Sequence, residues 1–193
     1  MAAHLEVVNE ALIKLGASPI ASMSDAGAQA TAARALFRTT YTRLLAETPW
    51  YWALNKVELP KLASVDYHAF DRFEYVYQLP SDLIRSVGLD CYCAFRVMGD
   101  RLYTNADPAA LLYVADTQAE KWPGYFRELV VDSLASRMAI SVTDSTNRAV
   151  YWSDQANNSR ARAMAIDAQQ TPPEILNLMR IYMRRHPNPL ATA

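Results

Sequence analysis

The sequence contains little glycine, which limits the binding sites it can form. Only 5 of its 193 residues are glycine, and neither G-x-G-x-x-G nor G-x-x-x-x-G-K-[ST] occurs. Loops that hold nucleotide phosphates with backbone N–H groups depend on such glycines. A G-x-S-x-G nucleophile motif is also missing. No local motif therefore supports a cofactor or an enzyme, although catalytic groups from distant segments can still converge in space.

Cysteine and histidine are equally scarce. The two cysteines are Cys91 and Cys93, and the three histidines are His4, His68 and His186. Two cysteines at i and i+2 in an extended strand point the same way and do not bridge easily, so we expect reduced thiols. No two histidines have the i, i+4 spacing of a helical metal site, and a zinc site needs about four ligands. We therefore predict no metal site.

The chain also lacks an excess of charge of either sign and a long apolar run. Its formal net charge is -1, whereas nucleic-acid-binding domains are usually strongly basic. No apolar stretch approaches the length of a membrane span, and the N-terminal stretch carries polar residues at regular intervals, unlike a signal peptide. A hydrophobic fraction of 51% is ample for a packed core. We therefore expect a folded protein that has no membrane partner.

Apolar periodicity predicts four helices, at about residues 2–15, 26–48, 123–142 and 145–170. In the first helix, apolar residues recur at steps of three and four, and Gly16 follows as a C-terminal cap. Pro49 ends the second helix, because the residue before proline resists helical angles. In the fourth helix the residues predicted to face inward are Ala149, Trp152, Ala156, Ala163 and Ile166.

Short segments rich in β-branched and aromatic residues indicate a β-rich insertion from about 52 to 116. Within it, Gly99-Asp100 is a glycine-first two-residue loop that predicts a hairpin. We therefore predict an α+β fold that is mainly α: a four-helix bundle with a β-rich insertion between helices 2 and 3 and an extended C-terminal tail. The main domain would cover residues 1–171, and the tail residues 172–193.

A cluster of aromatic residues, Trp50, Tyr51 and Trp52, follows Pro49 at the boundary between helix and strand. Aromatic side chains fill cores, and they are also enriched at protein interfaces. We interpret the two tryptophans as a structural junction that sets the angle between the helical and the β-rich part. Leu79 and Pro80 are further predicted junction residues.

The tail is both apolar and basic. Ile175, Leu178, Met179 and Tyr182 line one face of a short predicted helix, with Arg180, Arg184 and Arg185 beside them. One interpretation is docking in the groove of a partner. The other is a C-terminal helix that completes the domain's own core, and the residues do not decide between the two.

Four sequence pieces, in order, resemble a known family. The first is N-x-A-L-x-x-L-G within residues Val8 to Asp25, and the second is the proline-tryptophan pair of ETPWYWAL. The third is Tyr77-x-Leu-Pro-x-Asp followed by Arg85, and the fourth runs from Trp122 to Phe126. Together they span about Val8 to Ala165. In this order the pieces resemble the head-to-tail adaptor proteins of short-tailed bacteriophages, which are also called tail tubular protein A.

This resemblance implies a structural virion protein that assembles in the host cytoplasm. Such adaptors form a homo-oligomeric, dodecameric ring below the portal protein and continue the DNA channel without binding DNA specifically. They present a platform to the tail tube or nozzle protein, and they have no cofactor and no catalysis. The seven tail residues named above would then contact the portal.

Two other functions are compatible with the sequence. One is a cytosolic enzyme with a dispersed active site, which predicts a deep pocket with perturbed pKa values. The other is a helical DNA-binding regulator. Its recognition helix would be the second helix, with Arg34, Arg38 and Arg43.

Overall fold

A computed structural model describes residues 2–63 and 72–170 of the chain. The described residues form four α-helices: α1 (Ala2–Lys14), α2 (Ala28–Glu47), α3 (Gly124–Thr143) and α4 (Thr146–Gln169). These bounds differ from the predicted ones by at most two residues at each end. None of the helices in this part of the chain is long and apolar enough to cross a bilayer.

Local sequence explains where these helices end. Gly16, with φ of +74°, follows α1 in the left-handed conformation that glycine adopts without strain. α2 ends at Glu47, directly before Thr48 and Pro49. The Ser145 hydroxyl accepts a hydrogen bond from the Arg148 N–H and caps the start of α4. Each boundary therefore depends on residues within one turn of it.

The four helices do not form a four-helix bundle, so the predicted fold class is wrong. In a bundle all helices surround a shared core, whereas here α3 lies in the centre and α1, α2 and α4 pack against it. α1 and α2 contact each other only slightly, and α4 packs mainly on α3. α3 is consequently buried on several faces, by the residues Phe126, Leu129, Val130, Val131, Asp132, Ser133, Leu134, Ala135, Met138 and Ala139.

α4 has a buried stripe that is narrower and more polar than predicted. The described buried residues are Ala156, Ser159, Ala163 and Asp167. Ile166, which was predicted to face inward, is 36% exposed, and the neighbouring Asp167 is 3% exposed instead. The Asp167 carboxylate accepts hydrogen bonds from the Tyr51 N–H and the Tyr125 hydroxyl, each at 2.8 Å. These bonds offset the cost of burying the carboxylate.

The strands form two three-stranded antiparallel sheets. The strands are β1 (Leu54–Glu58), β2 (Tyr75–Gln78), β3 (Leu83–Leu89), β4 (Phe95–Met98), β5 (Arg101–Thr104) and β6 (Ala110–Ala115). The first sheet has the order β1-β6-β3 and the second has the order β2-β5-β4. The fold is therefore α+β, with four helices and two small sheets. The predicted hairpin is confirmed: β4 and β5 pair across Gly99-Asp100, and Gly99 has a φ of +58°.

Two separate hydrophobic cores hold the described part of the chain together. The helical core contains α1, α2 and α3 with Trp50, Trp122 and Val114. The sheet core is centred on Tyr77, Leu102 and Leu111. Because β6 contributes Val114 to the helical core and Leu111 to the sheet core, this strand connects the two.

The two cysteines are not the reduced thiols that we expected. Cys91 and Cys93 form a disulfide across Tyr92. Tyr92 has a φ of +55°, so the three residues form a turn and not an extended strand. The expectation was wrong because it assumed strand geometry for a segment that lies between β3 and β4.

Candidate functional site

The aromatic cluster after α2 packs onto the start of α3. Trp50 is 1% exposed, and its indole N–H donates to the Leu44 carbonyl at 2.8 Å. The Trp50 and Trp52 rings lie 5.2 and 4.9 Å from the Phe126 ring. Phe126 thus holds the segment that leads from α2 into β1. Such aromatic pairs stabilise a fold beyond the area they bury.

Arg85 makes a second connection at this place. Its guanidinium extends from β3 and donates to the carbonyl oxygens of Ala46 and Glu47, at 3.1 and 3.0 Å. The last carbonyls of a helix have no partner within the helix, and a cation is favourable at this end of the helix dipole. Arg85 therefore caps α2 and ties the first sheet to it.

The structure does not bring all the predicted junction residues together. Pro49, Trp50 and Trp52 lie at the end of α2, and both tryptophans pack against the helical core. Leu79 is buried in the sheet core, and its N–H donates to the Asp100 carbonyl at 2.9 Å. The Pro80 carbonyl accepts from the Leu83 N–H at 3.3 Å, in the turn between β2 and β3. These five residues thus form two groups, one at each core.

Other residues of the four sequence pieces that resemble the adaptor family make hydrogen bonds that stabilise the fold. The Asn9 side chain bonds both the N–H and the carbonyl of Ile20, at 2.9 and 3.0 Å, and so clamps the loop after α1. The Tyr77 hydroxyl donates to the Ala106 carbonyl at 2.9 Å. The Trp122 indole N–H donates to the Thr117 carbonyl at 3.0 Å. The residues that carry the family resemblance are thus engaged in fixing the fold.

A cleft of about 350 Å³ is formed by α1, α2, the turn after β2 and the loop after β6. It is lined by His4, Tyr41, Ser81, Asp82, Asp116, Thr117 and Gln118. Tyr113 donates to an Asp82 oxygen at 3.1 Å, and the Arg38 guanidinium lies 3.6 Å from Asp116. Burial, together with the negative charge of Asp116, raises the pKa of Tyr41. The cleft thus presents two carboxylates, each of which is already contacted by a side chain of the protein.

Sequence reasoning missed this cleft as a site. Its residues come from α1, α2, the turn after β2 and the loop after β6, and no local pattern links these four segments. Asp82 was noticed only as part of the Tyr77-x-Leu-Pro-x-Asp piece. Across residues 2–63 and 72–170, no group of three or more His, Cys, Asp or Glu side chains is arranged to hold a metal ion.

The three arginines proposed for a DNA-recognition helix make contacts within the protein. Arg34 donates to the carbonyls of Met23 and Asp25, at 2.7 and 3.1 Å. Arg38 pairs with Asp116, and Arg43 pairs with Glu47 at 2.6 Å. The structure therefore gives no positive observation in favour of the DNA-binding regulator.

The predicted partner-binding residues Ile175, Leu178, Met179, Arg180, Tyr182, Arg184 and Arg185 lie outside the described residues. Their docking stays a prediction.

No protein-family model matches the chain, and no curated protein matches it.

Proposed function

We propose that the protein is a subunit of a head-to-tail adaptor ring in the virion of a short-tailed bacteriophage. The ring, a dodecamer by family resemblance, binds below the portal protein, continues the DNA channel and offers the tail tube or nozzle protein its attachment surface. The protein works by shape and contact and is not an enzyme.

The observation that carries this proposal is the role of the residues that resemble the family. Trp50, Tyr77, Arg85 and Trp122 all fix the helices or the sheets in place. A site for chemistry would place such residues around a reacting group. Here they make internal bonds, as a rigid building block requires.

A rigid junction suits a ring for a geometric reason. Contacts between unlike surfaces form a ring when the rotation from each subunit to the next closes after one full turn, and they form open filaments when it does not. In the proposed subunit, the packing of Trp50 and Trp52 on Phe126 and the Arg85 bonds to α2 hold the angle between the helices and the first sheet. DNA passes through the ring without specific binding, which is compatible with the net charge of -1.

Mass photometry of the full-length protein, alone and mixed with the portal protein of the same virus, tests the proposal. We expect a closed assembly on the portal. Twelve copies of the 21.6 kDa chain would add about 260 kDa. A protein that stays monomeric and leaves the mass of the portal unchanged would refute the adaptor function.

The junction has its own test in the same assay. Arg85→Gln removes the bonds to the Ala46 and Glu47 carbonyls, so we expect fewer closed assemblies and more open or partial ones. Arg101→Gln is a matched control, because Arg101 lies in the other sheet and its guanidinium lies 4.0 Å from the Asp100 carboxylate. Equal ring yields for both variants would contradict the role given to Arg85.

A further inference from the structure

The turn between β3 and β4 links the two sheets and is anchored at both ends. β3 belongs to the first sheet and β4 to the second. Before the cysteines, the Asp90 N–H donates to the Ala110 carbonyl at 3.0 Å. After them, the Ala94 carbonyl accepts a hydrogen bond from the Thr104 hydroxyl at 2.9 Å. The segment between these anchors, Cys91-Tyr92-Cys93, is therefore the part of the link that can change its conformation, and we call it the cysteine turn.

The disulfide closes the cysteine turn around a residue in an unfavourable backbone conformation. Tyr92 has a φ of +55°, in the left-handed region that residues with a bulky side chain rarely adopt. The Cα atoms of Cys91 and Cys93 lie 5.2 Å apart, whereas two residues of extended chain span about 7 Å. Opening the disulfide would therefore allow Tyr92 to leave the left-handed region and the turn to lengthen.

Little in the structure stabilises the closed form. The stabilisation that a disulfide gives grows with the length of the loop it closes, and this loop encloses one residue. The Tyr92 side chain is 73% exposed. Cys91 is exposed, and Cys93 packs only partly against the sheet core. Exposed or strained disulfides are the ones that thiols open most readily.

We propose that Cys91 and Cys93 form a reversible thiol–disulfide exchange site, which glutathione opens and glutathione disulfide closes. A glutathione thiolate attacks the exposed Cys91 Sγ, the S–S bond breaks, and Cys93 leaves as a thiolate that takes up a proton. A second glutathione thiolate then attacks the glutathione sulfur of the mixed disulfide. This step releases Cys91 as a thiolate, which is protonated in turn, and forms glutathione disulfide. Two electrons thus pass to the protein, and the reverse sequence closes the disulfide.

The consequence for the virus rests on the proposed adaptor function. The cytosol keeps thiols reduced, whereas disulfides persist outside the cell. A subunit that assembles in the host cytoplasm therefore has the open cysteine turn, and the released virion has the closed one. Closure shortens the link between the sheets after the ring has formed, so the redox state distinguishes an assembling particle from a released one.

A redox titration of the full-length protein tests the exchange site. The protein is equilibrated in glutathione buffers, quenched with acid and alkylated, and the alkyl groups are counted by intact mass. We expect two alkyl groups in a buffer as reducing as the cytosol, none in excess glutathione disulfide, and full return on reversal. A disulfide that opens only after the protein is unfolded, or cysteines that never close, would overturn the proposal.

Variants at Tyr92 test the contribution of the backbone. Asparagine adopts the left-handed conformation more readily than tyrosine, so Tyr92→Asn should shift the glutathione equilibrium about fivefold toward the disulfide. Tyr92→Phe is the matched control, because it keeps the bulky side chain and should leave the equilibrium unchanged. Equal equilibrium constants for the two variants would overturn the role given to strain in opening the turn.

Hydrogen exchange reports the change in conformation. The Tyr92 N–H donates to the Leu89 carbonyl at 3.0 Å in the closed turn, so its exchange should become severalfold faster on reduction. The Asp90 N–H, bonded to the first sheet, should keep its rate. Cys91→Ser/Cys93→Ser should show the fast exchange at Tyr92 without any reductant. A Tyr92 rate that is the same in all three forms would overturn the opening of the turn.

Mass photometry with the portal separates this proposal from the adaptor function. Closed assemblies formed by a protein whose disulfide does not respond to glutathione would refute the exchange site and leave the adaptor function standing. A reversible disulfide in a protein that never assembles on the portal would refute the adaptor function and leave the exchange site standing.

Discussion

Trp50 shows what one side chain contributes to this molecule. Its ring fills space between α2 and α3, and its indole N–H bonds the Leu44 carbonyl near the end of α2. Truncating a buried tryptophan leaves a cavity that the neighbours fill only in part. The residue is therefore part of the core as well as of the junction.

Trp50→Ala should lower the free energy of unfolding by about 3–5 kcal/mol, because it removes both the buried ring and the hydrogen bond. Denaturant unfolding followed by circular dichroism measures the change. Tyr51→Ala is the matched control, since the neighbouring Tyr51 side chain is 49% exposed and such changes usually stay within about 0.5 kcal/mol. A Trp50 variant with the stability of the control would show that the ring is not part of the core.

Tyr77 makes the stability of the protein depend on pH in the alkaline range. Burial, with the hydrogen bond to the Asp107 carboxylate, raises the pKa of Tyr77 to about 12 from the usual 10.0. The neutral form is favoured in the folded state, so its contribution is complete below pH 10 and is lost as the pH rises from 10 to about 12.

Tyr77→Phe should cost about 1 kcal/mol at neutral pH, because it removes the hydroxyl proton that the Ala106 carbonyl and the Asp107 carboxylate share. The fall in stability above pH 10 should become shallower. Unfolding free energies measured from pH 7 upward test this. Tyr92→Phe, at a side chain that is 73% exposed, should leave the curve as it is. An unchanged alkaline slope in the Tyr77 variant would contradict the assignment.

At the scale of elements, local sequence was a good guide to where helices begin and end. The apolar periodicity identifies each helix, and Gly16 and Pro49 mark the ends of α1 and α2. Both signals depend on interactions within one or two helical turns. The β4–β5 hairpin was predictable for the same reason, because a glycine-first loop of two residues suits only a few turn geometries.

The hairpin provides a prediction with an internal control. Gly99→Ala should destabilise the protein by about 1–2 kcal/mol, because a side chain at a φ of +58° is strained although the space around it is open. Gly88→Ala, in β3, also meets no neighbouring atom and lacks the positive φ. Thermal unfolding should therefore show a lower midpoint for Gly99→Ala alone; equal midpoints would refute the argument.

How elements pack was harder to predict than where they lie. Ile166 and Asp167 are neighbours at the edge of the buried face of α4. Because isoleucine is hydrophobic, the sequence favours Ile166 as the buried residue of the two. The structure buries Asp167 because Tyr51 and Tyr125 supply donors from distant parts of the chain. Such partners cannot be seen in a local pattern.

At the scale of the whole molecule, the distribution of charge affects how strongly the protein would bind DNA. Affinity for DNA grows with each phosphate that Lys or Arg neutralises through counterion release. Here the α2 arginines are engaged with carbonyls and carboxylates of the protein itself. A channel built from such subunits would let DNA slide.

The purified protein should therefore not retard duplex DNA in gel shifts at physiological salt, and any binding at low salt should be weak. Asp90→Lys/Asp100→Lys/Asp154→Lys adds positive charge at exposed positions and should bind measurably, which shows that the assay can detect an interaction. Tight, salt-sensitive binding by the unchanged protein would contradict an adaptor that passes DNA freely.

The sequence by itself determined the positions of the four helices, the hairpin at Gly99 and the end of α2 before Pro49, because these depend on neighbours a few residues away. Only the tertiary structure decided that α3 occupies the centre, that the strands divide into two sheets, and that Asp82 and Asp116 share a cleft. Those features depend on which surfaces meet between segments far apart in the chain. The surfaces that meet are those whose contact buries large apolar faces and pairs polar groups. The two surfaces of such a contact come from distant segments, so no short stretch of residues contains both.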